Sequence, residues 1–71
     1  MIFRDASGSV VATRMDCFDN DRTVIVTVYS PQTLDTATDI CNDICKDERR
    51  VVEMNCGEEI TMFYPVGYQV Q

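Results

Sequence analysis

The residues able to do chemistry in this chain are its carboxylates and its cysteines; there is no histidine. The most ordered set lies in the stretch TLDTATDICNDICKDE, residues 33–48, where Asp35, Asp39, Asp43 and Asp47 recur at every fourth position. On a helix that spacing lines the carboxylates along one side, about 6 Å apart along the axis. Like charges so placed cost roughly 0.2–0.5 kcal/mol per pair, and Asp is a poor helix former because it competes for backbone bonds. Glu would expose the same charge at lower cost. An unbroken row of four therefore reads as a negative ridge presented to a basic surface. A row of this kind can imitate nucleic-acid phosphates, although it is sparser than duplex DNA, with its charge per about 1.7 Å of axis. Asp16, Asp19 and Asp21 in the first hairpin, and Glu58 and Glu59 in the second, extend the same acidic character.

Catalysis is not expected. The commonest general base is missing. The three glycines are isolated and form no phosphate-binding loop, and no base is placed to activate a cysteine. Asp16, Asp19 and Asp21 lack the glycine and distal glutamate of a calcium loop, so that stretch reads as a hairpin turn. Cys17, Cys41, Cys45 and Cys56 make a conceivable four-ligand set. However, the one closely spaced pair, Cys41 and Cys45, falls within a helical pattern, where structural zinc sites use tighter pairs on loops. The cysteines read as small buried hydrophobes. No metal and no cofactor are expected; a metal- or redox-sensing cysteine protein is the third-ranked reading.

Helices and strands must position these groups. Ser30-Pro31 is a helix start, with Ser as cap and Pro at the first position. From Pro31 to about Glu48, the residues Leu34, Ala37, Cys41, Ile44 and Cys45 form one apolar stripe opposite the aspartates. Alternation predicts strands over 9–18 and 23–29, joined as a hairpin by DNDR. Further strands are predicted over 51–56 and 60–64, with Gly57-Glu58-Glu59 as the turn between them. Residues 1–4 and 68–71 are candidates for short edge strands. The expected class is α+β in β-β-α-β-β order: a four- or five-stranded antiparallel sheet with one helix packed on one face, forming a single domain over residues 1–71.

One helix covers one sheet face. Val24, Val26, Val28, Val52, Met54, Ile60 and Met62 are assigned to the covered face, and Ile25, Thr27, Tyr29, Val51 and Phe63 to the open one. Ile25, Tyr29, Val51 and Phe63 are more apolar than a wet face requires. They define an alternative function, a homodimeric module that uses the open face while the acids serve only solubility.

Charge narrows the partners. Six bases against twelve acids give a net charge of −6, which disfavours direct nucleic-acid binding and anionic membranes. No stretch approaches the roughly 20 apolar residues of a membrane span, and residues 1–15 lack the apolar core of a signal peptide. The expectation is a cytoplasmic protein that docks its carboxylates onto a basic protein, possibly nucleic-acid-binding, and inhibits it.

Overall fold

A computed structural model describes residues 1–18 and 22–68. Five strands and one helix follow in the order β1 (Ile2–Arg4), β2 (Val10–Asp16), β3 (Val24–Val28), α1 (Leu34–Glu48), β4 (Val52–Cys56) and β5 (Glu59–Phe63). The strands form one sheet in sequential order, β1-β2-β3-β4-β5, with α1 on one face. This is the expected α+β class with five strands, the first of them at Ile2–Arg4. The sheet is mixed: β3 and β4 pair in parallel, from Val24 opposite Val52 to Val28 opposite Cys56, and the other pairs are antiparallel. A helix between two neighbouring strands returns the chain to the end where it began, so the second strand runs alongside the first. Residues 69–71, where a last short strand was expected, lie outside the described residues, as does most of the DNDR turn.

The helix begins as its sequence suggests. The Ser30 hydroxyl accepts from the Gln32 amide at 3.2 Å, Pro31 opens a single 3₁₀ turn over Pro31–Thr33, and α1 continues from there. Ala37, Cys41, Ile44 and Cys45 are its buried residues. The helix ends at Arg49, whose φ of 54° is left-handed, a conformation that stops a helix and that glycine usually supplies.

Beneath the helix lie Ala12, Val24, Val26, Val28, Val52 and Met54, each at most 5% exposed. The largest fully buried side chains are four valines and Cys41. This core of small side chains lets the helix sit close to the sheet. Each valine contributes about 1.5–3 kcal/mol by leaving water. Phe3 and Phe63 close the core at its two borders. The pairing of β1 with β2 shifts between Phe3 and Arg4, and Val11 is the extra residue. Bulges of this kind break strict alternation, and here Val11 and Ala12 are both buried in succession.

The register corrects one sequence expectation. β4 and β5 are joined by the two-residue turn Gly57–Glu58, so Cys56 faces Glu59, Asn55 faces Ile60 and Val52 faces Phe63. Gly57 has a φ of 62°, which two-residue hairpins of the type with glycine first require. Ile60 and Met62 therefore stand on the open face, and Phe63 on the helix face, the reverse of the expected assignment.

Candidate functional site

The four helical aspartates lie as the spacing predicts. Asp35, Asp39, Asp43 and Asp47 are all exposed on α1, away from its buried stripe. Among the described residues, none of them takes part in an ion pair or a side-chain hydrogen bond. The ridge is a set of four solvated carboxylates, with Lys46 the basic residue of the helix's last turn. Asp35 in the first turn is favoured by the helix dipole, and Asp47 near the C-terminus is not.

The remaining predicted acids are dispersed. Glu58 and Glu59 are exposed at the β4–β5 turn, at the end of the sheet where α1 begins, because β4 runs parallel to the strand that feeds the helix. Asp19 and Asp21 lie outside the described residues. The end of β2 and the start of β3 lie at the opposite end of the sheet, with the helix C-terminus.

At that second end is a group the sequence reading did not assemble. The Arg14 guanidinium donates to both Glu48 oxygens at 2.7 Å and to Asp16 at 2.7 and 3.2 Å. Arg50 donates to Asp16 at 3.0 Å, to the Arg22 carbonyl at 2.8 Å and to the Cys17 carbonyl at 3.3 Å, and it lies over the Phe18 ring. Two arginines and two carboxylates thus clasp β2 and the β2–β3 connection to the end of α1. Arg14 holds the Asp16 carboxyl down to about 2, with Arg50 adding to the effect, and the same guanidinium lowers Glu48. The only trace in the sequence is the i, i+2 spacing of Arg14 and Asp16, which puts both on one face of β2. Asp16, expected to extend the acidic surface, is engaged here instead.

The residues assigned to a sheet-face dimer do not form one surface. Tyr29 is 67% exposed and Ile25 is half-buried, whereas Val51 is 5% exposed and Phe63 packs against the core. The open face consists instead of two rows across the sheet: Met15, Ile25, Glu53 and Met62, and then Ile2, Thr13, Thr27, Asn55 and Ile60. Asn55 donates to Glu53 within it at 3.1 Å.

The cysteines are free thiols. Cys41 and Cys45 are buried under the helix, and burial pushes the Cys41 thiol up to about 11 and raises Cys45 as well, which suits packing and not nucleophilic chemistry.

A groove of about 740 Å³ runs between the C-terminal half of α1 and the segment after β5. Among the described residues, its walls include Lys46, Arg49, Phe63, Tyr64 and Val66, and no carboxylate. In a chain of net charge −6 it is a locally basic, apolar feature. Lys46, in the last turn of α1, and Arg49, at its C-cap, both line this groove. Comparison with family models, curated proteins and solved structures returns no match among them. Among the described residues, no helix is long and apolar enough to cross a membrane.

Proposed function

We propose that this is a small binding protein that sets the carboxylates of Asp35, Asp39, Asp43 and Asp47 against a basic protein, of the kind that binds nucleic acid, and blocks it. The observation supporting this reading is that all four carboxylates are exposed and, among the described residues, unpaired, while Arg14 and Arg50 are engaged at the clasp. Among the described residues no ion pair occupies these carboxylates, so a cationic partner displaces none, and it recovers the repulsion the row stores. The helix is fixed to the sheet by a well-packed stripe, so the charges are held in place before binding, which lowers the ordering cost.

The test is capture of partners by the immobilised chain at low and high salt, alongside a variant carrying Asp39→Asn and Asp43→Asn. A partner lost on added salt, lost with the variant and displaced by duplex DNA supports the proposal. A partner that the variant holds as well as the wild type overturns it.

A further inference from the structure

The two edges of the sheet differ. β1 has three residues and a bulge, both features that discourage pairing with another chain. β5 is a regular five-residue strand, EITMF, with no lysine, proline or bulge. The closing pair of a two-residue hairpin exchanges hydrogen bonds, and pairs alternate from there. Glu59, Thr61 and Phe63 therefore bond to β4, and the backbone N–H and C=O of Ile60 and Met62 point outward. Neither makes any other backbone bond among the described residues. Exposed apolar side chains also concentrate here. Ile60, Met62, Tyr64, Val66 and Tyr68 are 62, 38, 55, 106 and 42% exposed, half of the ten large exposed hydrophobic residues described.

We propose that β5 pairs antiparallel with β5 of a second copy, centred on Thr61, so that two five-stranded sheets join into one of ten strands. This inference stands whether or not the acidic ridge binds a partner. A two-fold axis through Thr61 sets Ile60 opposite the partner's Met62, and the outward backbone groups of both residues meet in two hydrogen-bonded pairs. The same axis sets Phe63 opposite the partner's Glu59. Both residues lie on the helix face, by their register with Val52 and Cys56. The partner's Glu59 thus arrives beside the groove walled by Lys46 and Arg49, and the arrangement repeats on the other side of the axis. Within one chain, Glu59 and Phe63 stand about 14 Å apart along the strand, and among the described residues Glu59 makes no ion pair of its own. Only a second copy brings that carboxylate to this groove. The resulting interface is isologous, as most homodimers are.

The experiment is sedimentation velocity over a concentration series on four proteins: wild type, Glu59→Lys, Lys46→Glu with Arg49→Glu, and the combination of all three. Circular dichroism checks that each is folded, and these exposed side chains permit that. The expected result is a concentration-dependent wild-type dimer, at least a tenfold weaker dimer for each partial reversal, and recovery in the combination. Ile25→Asp, on the open face away from the edge, leaves the dimer intact. The amides of Ile60 and Met62 exchange more slowly with solvent in the dimer than in dilute monomer. A wild type that stays monomeric to millimolar concentration overturns the proposal. So does a dimer that ignores the charge reversals, or one that Ile25→Asp abolishes.

Discussion

Arg14 in β2 and Glu48 in the last turn of α1 are 34 residues apart in sequence and meet as a fork, with both guanidinium–carboxylate distances at 2.7 Å. The fork is partly shielded, the Arg14 side chain being 15% exposed and that of Glu48 37%. Such a pair falls between exposed bridges, worth about 0–1 kcal/mol, and buried ones, whose breaking costs about 3–5 kcal/mol. Arg14→Met retains the apolar stem and removes the fork. It is expected to lower stability by about 1–2 kcal/mol in urea unfolding. Arg14→Lys recovers little, because an ammonium cannot bridge both oxygens. An unchanged urea midpoint in Arg14→Met would show that the clasp contributes nothing to the fold.

The clasp also makes stability depend on acid. A carboxyl whose pKa is lower in the folded chain stabilises the fold above its unfolded value and ceases to do so as pH falls to the folded one. Glu48 departs from an ordinary 4.5, and Asp16 from 3.8 down to about 2. The thermal midpoint is expected to begin falling near pH 4.5 and to keep falling to about pH 2. Asp16→Asn and Glu48→Gln should each flatten that fall. Asp5 adds a smaller effect in the first turn, where the Ser7 hydroxyl and the Ser9 amide lower its carboxyl, so Ser7→Ala should remove part of the remainder. A wild-type profile that is level across this window contradicts the assignment.

The thiols should divide into two classes. Cys17 and Cys56 are half-buried, and Cys41 and Cys45 are buried, with the Cys41 thiol pushed up to about 11 by burial. Alkylation of the native chain near neutral pH, mapped by mass spectrometry, is expected to label Cys17 and Cys56 first. Strong denaturant should make all four react alike. Rapid native labelling of Cys41 would mean that the helix does not seal the sheet.

The ridge should weaken its own helix. Asp39 faces like charges at Asp35 and Asp43, so Asp39→Ala removes two repulsive pairs at roughly 0.2–0.5 kcal/mol each and a poor helix former worth about 0.7 kcal/mol. The variant is expected to be more stable than wild type by about 1 kcal/mol, with the larger gain at low salt. A residue that lowers stability on an exposed face is one whose presence the fold does not explain. If Asp39→Ala is neutral or destabilising in urea, the carboxylates are not in conflict.

The local signals were legible in the sequence, and the geometry between elements was only partly so. Ser30 and Pro31 marked the helix start, and the Leu34-to-Cys45 stripe marked its buried side. The alternation around Val24, Val26 and Val28 marked the central strand. The faces of β5 were misassigned by a single residue. A three-residue turn at Gly57–Glu59 would set Ile60 opposite Cys56, whereas the two-residue turn sets Glu59 there, and a one-residue slip exchanges the faces of a whole strand. The parallel pairing of β3 and β4 was available in principle, since a strand, a helix and a strand in succession are the elements of a crossover. The clasp was not available, because it depends on residues 14, 16, 48 and 50 arriving at one end of the sheet.

The crossover also governs how the molecule assembles. Each antiparallel pair joins strands adjacent in the chain, whereas Val24 and Val52 meet from 28 positions apart. The β1–β3 meander and the β4–β5 hairpin can each form from near neighbours on a fast timescale, and neither is held to the other until α1 has docked on both. Contacts of long sequence separation delay folding, so the rate-limiting event is expected to be the joining of the two ribbons along β3 and β4. Substitutions at Ala37 or Cys41 that loosen the docked helix should therefore slow refolding, and so should changes in the turns of the two ribbons, because both are needed before the ribbons join.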